Sequence, residues 1–130
     1  MGRPRARPVV LDAGALIALE KRDRRMEALL RKAHQARGRI LVPAGALAQV
    51  WSGEPSQAPL HRLLKRSTTE VPALDRLLAE AAGRLCRRTG TSDVVDASVV
   101  IAARQANAVV VTSDPDDLAR LDPALRVEAV

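Results

Sequence analysis

The chain has 130 residues, enough to bury one hydrophobic core but not several. It carries 21 Lys and Arg against 15 Asp and Glu, a net charge of +6, with one Trp, no Phe, no Tyr and a single cysteine, Cys86. This composition excludes an internal disulfide and a recognition surface built from many aromatic rings. No apolar run approaches the roughly 20 residues of a membrane span. The expectation is a cytoplasmic protein with an aliphatic core and no membrane contact. The positive charge suits a polyanion such as nucleic acid. It reads equally well as the base composition of a genome that encodes Arg and Ala in preference to Lys.

Taken in chain order, residues 1–8, MGRPRARP, read as a flexible basic arm, in which Arg3, Arg5 and Arg7 could meet phosphates or only aid solubility. Residues 8–12 (PVVLD) read as a buried strand and 13–20 (AGALIALE) as a short helix. Residues 23–36 form a charged amphipathic helix with apolar Met26, Leu29, Leu30 and Ala33, stopped by Gly38. A short strand at 40–42 leads through Pro43 into a helix at about 44–52. Gly53, Pro55 and Pro59 break the chain before a helix at 60–66 and a strand at 67–71. The 73–88 helix presents Leu74, Leu77, Leu78, Ala81, Ala82 and Leu85 as its apolar set, and Gly90 ends it. A helix at 93–106, a strand at 108–112, a short helix at 115–121 and a strand at 125–129 complete the chain.

Strands alternating with helices predict a parallel sheet of about five strands with helices on both faces, in one domain spanning 1–130. Ligands of such sheets collect beyond the carboxyl ends of the strands. Asp12 ends the first strand, Asp114 follows the 108–112 strand, and Asp93 and Asp96 open the helix that leads into that strand. All four therefore start at one rim. Each is also an ordinary helix cap, with Asp96 as a capping-box-like partner of Asp93 and Asp117 in the first turn after Asp114. Taken together they are harder to explain as caps alone. Crowded carboxylates raise one another's pKa, helix dipoles offset that only in part, and a hard divalent cation offsets it far better.

The segments VVLDAGALIALE, VPAGALAQVW, SDVVDASVVIAAR and VVVTSDPDDLARL, in this order, resemble the PIN domain and within it the VapC-type toxins. The resemblance covers nearly the whole chain. It implies an α/β/α sandwich and a ribonuclease that uses Mg²⁺ or Mn²⁺ held by acidic residues. It further implies a cognate antitoxin as partner and a homodimer. By it, Asp12, Asp96 and Asp114 match the metal-holding acids. Asp93 and Asp117 fall where the family often adds another, and Asp93 joins the first three as a catalytic candidate. Thr112 and Ser113 could orient the carboxylates. The family's glutamate after the second strand is replaced by Gln49, a carbonyl without charge, and Asp93 is the candidate to restore it. A weakened PIN-like module that binds RNA or a protein stays open as the alternative. A receiver or phosphatase domain would need a lysine at the rim, and Lys21, Lys32 and Lys65 are poorly placed for it. Trp51 is expected in the core or a dimer seam, with base stacking as the minor reading, and His34 and His61 as exposed helix residues.

Overall fold

The computed structural model describes residues 6–130. Of the basic arm, Arg3 and Arg5 lie outside the described residues. Five strands and seven α-helices alternate: β1 (Val9–Leu11), α1 (Ala13–Glu20), α2 (Arg24–Gln35), β2 (Ile40–Leu41), α3 (Ala44–Val50), α4 (Ala58–Leu64), β3 (Thr69–Glu70), α5 (Arg76–Thr89), α6 (Val94–Ala106), β4 (Val109–Thr112), α7 (Pro115–Leu121) and β5 (Val127–Ala129), with a 3-10 turn at Pro55–Gln57 before α4. The sheet is parallel throughout, in the order β3-β2-β1-β4-β5. Val9 pairs with both Ile40 and Val109, and Val110 with Val127. This is the expected α/β/α sandwich. Its order differs from the 2-1-3-4-5 of receiver-type domains, which removes that reading of the fold.

The helices divide by connection. Those between β1 and β3 pack on one another, α1 touching α2, α3 and α4. Those between β3 and β5 form the other layer, α5 touching α6 and α7. Helix α6 is buried at every position from Ala97 to Ala103, because it lies against β1 and β4 and also against α3, α5 and α7. Small and β-branched residues (Ala, Ser, Val, Ile) allow that close packing on all sides. The core is aliphatic, with Leu11, Leu16, Met26, Ile40, Leu60 and Leu118 among its largest fully buried side chains.

Aspartates cap five of the seven α-helices, their carboxylates accepting from backbone N–H groups one turn on: Asp12, Asp23, Asp75, Asp93 and Asp114. At the other ends, Gly90 takes the left-handed conformation expected of it (φ 73°). Gly38 does not. Arg37 (φ 53°) is the left-handed residue after α2, and the Gly38 N–H bonds the Ala33 carbonyl. Gly38 instead lies buried, where an added Cβ would approach Ala33 O and Ala6 Cβ.

Two apolar side chains expected inside, Leu74 and Leu77, are outside, and of the two places expected for Trp51 the core is not the one it takes. Asp75 caps α5, so Leu74 precedes the helix, and Leu77 points away from the core at 75% exposure. Trp51 ends α3 and is 43% exposed. Its loop is fixed by a buried residue the sequence did not single out, Gln57. The Gln57 carbonyl accepts from Ser52 N–H (2.9 Å) and Gly53 N–H (3.0 Å), while its amide donates to Val50 O (2.6 Å) and to the Glu20 carboxylate. That arrangement occupies the whole hydrogen-bonding capacity of the side chain. Gln57→Ala leaves those partly buried groups without their partner. The expected loss is about 2–3 kcal/mol in urea unfolding; a loss within error of zero would show that the loop is held by other means.

Candidate functional site

Strand order reverses between β1 and β4, the position at which open α/β sheets form a crevice at their carboxyl edge. The two residues flanking it are Asp12 and Asp114. Asp12 directly follows β1, its N–H bonded to Val111 O of β4 (3.2 Å), and it is buried. Its Oδ1 caps α1 through Ala15 N (2.8 Å). The fully buried Thr112 hydroxyl donates to the same carboxylate and accepts from Asp114 N–H (2.9 Å). One threonine thus ties the first acid to the backbone of the last. Ser113 has a different place from the one expected: its Oγ rests against Gly14, where a built Cβ would come within 2.0 Å. Gly14 has no side chain, and this lets the loop carrying Asp114 close onto the start of α1.

The second pair, Asp93 and Asp96, enters from α6. Asp93 caps the helix through Asp96 N–H (3.0 Å), and its own N–H bonds Thr91 Oγ1 (3.2 Å). Asp114 caps α7 through Asp117 N–H (3.3 Å). The capping reading is therefore correct for Asp12, Asp93 and Asp114, and it leaves the second carboxylate oxygen of each uninvolved in the cap.

The same carboxylates feel one another. Burial pushes Asp12 above its ordinary pKa, opposed by the bonds from Thr112 and Ala15 and reinforced by the charge of Asp114. Asp96 is pushed up to about 7, first by burial, then by Asp93, and further by Asp12 and Asp117. Asp117 is raised chiefly by its bond to Asp114 and that residue's charge. Five acids from three helix starts thus share one field. A cleft of about 430 Å³ between the end of α5 and the starts of α6 and α7 is lined by Asp93, Asp96, Asp117 and Arg120. Arg120 reaches Asp117 at 3.9 Å. Sequence reading offered Arg3, Arg5 and Arg7 either as phosphate contacts or as a solubilising arm; of these, Arg7 hydrogen-bonds Asn107 (3.5 Å) ahead of β4, at the opposite edge of the sheet. The signal for Arg120 was its position three residues after Asp117, on one helical face.

The donor set is all carboxylate oxygen, the chemistry Mg²⁺ and Mn²⁺ prefer. The spacing is looser than that chemistry needs. Among the described residues, no three His, Cys, Asp or Glu side chains are grouped to hold one ion together. Gln49 is exposed on α3 and makes no hydrogen bond to the rim aspartates among the described residues. It sits one turn beyond Gly45, where an added Cβ would lie 3.6–3.7 Å from Ser98 and Val95 of α6. His34 is half-buried rather than exposed, and burial lowers its pKa. It lies on α2, among no group of acids.

The model of the PIN domain family matches residues 9–123. Among solved structures, the chain is similar to one in VapBC2 from Rickettsia felis bound to a promoter DNA fragment, at 19% identity and TM-score 0.72, covering 95% of this chain and 98% of that one. It is also similar to a chain of FitAcB from Neisseria gonorrhoeae (18%, TM-score 0.63, 92% and 95%) and to one of FitAB bound to the IR36 DNA fragment (16%, TM-score 0.65, 93% and 94%). At these identities the likeness is one of fold. No functionally curated protein matches the chain.

The crowding at Asp96 has a consequence for stability. Its folded pKa of about 7 lies above the ordinary 3.8, so its charge opposes folding above pH 7. That cost shrinks steadily as pH falls below 7, because the folded carboxyl protonates while the unfolded one does not, and it is gone only below the ordinary 3.8. In metal-free buffer, the wild type should therefore gain about 1–2 kcal/mol relative to Asp96→Asn between pH 8 and pH 5, after allowance for solvent screening. Parallel pH profiles for the two proteins in thermal melts would show that Asp96 is not crowded.

Proposed function

We propose, from the premise that this chain belongs to the PIN domain family, that it is a metal-dependent ribonuclease acting in the cytoplasm as the toxin of a toxin–antitoxin pair. The observation that carries the reading is the shared field of five acids at the strand-order reversal, with Asp96 displaced to about 7. Carboxylates pushed together at that cost imply a positive charge that offsets them. The sequence resemblance to VapC-type toxins and the fold likeness to chains of VapBC2 and FitAB support a cognate antitoxin as partner, and the sequence resemblance alone implies a homodimer as the working form.

In this reading Asp12, Asp96 and Asp114 would hold Mg²⁺ or Mn²⁺ through their carboxylate oxygens. The ion, when bound, supplies charge stabilisation at the phosphoryl group and acidifies water. The protein's own groups do the rest. Thr112 fixes the orientation of Asp12. Asp93, at the mouth of α6, accepts a proton from the attacking water or orients it. Arg120 holds a flanking phosphate beside the cleft. Asp117 adds negative charge to the field at its edge.

Gln49 supports a second reading, a PIN-like module that binds RNA or a protein with little turnover. It is neutral and exposed where the resembled motif has glutamate, and the acids do not converge on one point. Cleavage of single-stranded and structured RNA, with Mn²⁺ or EDTA, separates the two. The wild type should cleave only with metal, and Asp12→Asn, Asp96→Asn and Asp114→Asn should each lose at least about 100-fold in rate, as expected when a group acting on the transition state is removed. Cleavage that survives all three substitutions would mark a contaminant, and binding without cleavage would favour the module.

Metal affinity tests the role of Asp93 separately. If it makes up for the charge missing at Gln49, Asp93→Asn should weaken Mn²⁺ binding about tenfold in calorimetry, the scale of losing one supporting group. Wild-type affinity in that variant would leave Asp93 as a cap only.

A further inference from the structure

Trp51 is the single Trp of a 130-residue chain without Phe or Tyr, and the fold places it outward. A large flat ring left nearly half exposed offers a face on which a planar partner can pack. Trp51 is also held in one orientation. His61 of α4 lies against it, ring centroids 6.0 Å apart and planes 27° from parallel. The following loop is pinned by the four hydrogen bonds of buried Gln57. Gly53 adopts φ +75°, a conformation that favours glycine, and a Cβ there would stand 3.9 Å from the indole nitrogen. The space beside the indole N–H is therefore kept clear. The result is a recess of about 310 Å³, lined among others by Trp51, Gly53, Glu54, Pro55, His61 and Arg62. That volume is at the small end of ligand pockets, suited to one planar group rather than a helix.

We infer that this recess is a stacking site for one unpaired base of an RNA strand whose scissile phosphate lies at the acidic rim. The inference rests on the ribonuclease reading and adds to it a specificity-determining residue. Its chemistry is that of single-strand recognition: an indole face for the base, a guanidinium for the adjoining phosphate, and a carboxylate that accepts from N–H donors on the base edge. Arg62 supplies the guanidinium and makes no ion pair among the described residues. Glu54 supplies the carboxylate. Helix α3 sets the separation from the rim. Gly45, near its start, lies against Val95 and Ser98 of α6, the helix opened by Asp93 and Asp96. Trp51 follows six residues later, about 9 Å along the helix, so a strand of a few nucleotides spans both.

The chain's single Trp and absence of Tyr make the test direct, because intrinsic fluorescence reports on Trp51 alone. A fluorescein-labelled eight-nucleotide single-stranded RNA of mixed sequence is titrated into the full chain in Ca²⁺, with polarisation and indole emission read in parallel. Emission should be quenched along the same curve as polarisation. Trp51→Leu should weaken binding about tenfold, the scale of losing one base stack, and Trp51→Phe should keep most of the affinity, with thermal melts showing all three proteins folded. Saturated polarisation with unchanged emission overturns the stacking site and leaves the ribonuclease reading intact, as does equal affinity of Trp51→Leu and wild type. Indole emission that changes on dilution of the protein alone assigns Trp51 to a contact between copies and also overturns it. Absence of both binding and Mn²⁺-dependent cleavage by the wild type sinks the two readings together.

Discussion

A parallel sheet cannot avoid collecting helix starts at its carboxyl edge, and in this protein that edge is where like charges meet. Every crossover that follows a strand begins there, and so does any helix that runs back down to feed the next strand. Helices α1, α6 and α7 meet both descriptions between them. Each opens with an aspartate that accepts from its own first-turn amides. Capping alone would spread such acids harmlessly over a surface. The reversal of strand order between β1 and β4 brings them within one another's fields instead, with Asp12 buried and Asp96 half-buried while Asp93, Asp114 and Asp117 stay exposed. The displacement of Asp96 follows from that confinement more than from any single neighbour.

Local capping and collective ligand chemistry are not rivals for these residues. A carboxylate has two oxygens, and an N-cap uses one. The cap fixes the backbone from which the side chain projects, and the remaining oxygen is available for whatever occupies the crevice. This division explains how the rim can be crowded, as the raised pKa values of Asp12, Asp96 and Asp117 indicate, without three side chains converging on a point. Asp12, Asp93 and Asp114 are each held in a capping rotamer by an amide one turn on, and Asp96 and Asp117 follow from the backbone those caps fix.

The elements were legible because buried strands in a two-sided sheet read as short unbroken apolar runs. VVL and VVVT fell within a residue of their observed bounds, and 13–20 and 115–121 were matched in full. Rim placement of Asp12, Asp93, Asp96 and Asp114 followed from topology alone. What could not be read was anything set by a partner distant in sequence. Leu77 fits the periodicity of α5 but falls on the far side of the stripe that Leu78, Ala82 and Leu85 bury. Trp51 looked like core because aromatic rings usually are, and nothing in VPAGALAQVW signals that the helix stops one residue before it. Gln57 lies between two short helical segments with no local feature to mark it. Its importance comes from Glu20, 37 positions away. Thr112 was named as a possible orienting group, but its simultaneous bonds to Asp12 and Asp114 depend on two strands lying side by side.

Helix α1 has Asp12 at one end and Glu20 at the other, and each end is fastened to something different. The first residue is bonded to the β4 loop through Thr112; the last is bonded to the Gln57 amide that carries the Trp51 loop. Eight residues of helix, about 12 Å, therefore act as a ruler between the acidic crevice and the indole recess. A ruler of this kind tolerates exchange of side chains but not a change of length. One residue added to α1 would rotate Glu20 by about 100° around the helix axis and take it off Gln57, while the core face of the helix turned with it. Relatives of this chain that vary freely in their surface loops should for that reason keep the count from the first aspartate to the end of this helix constant.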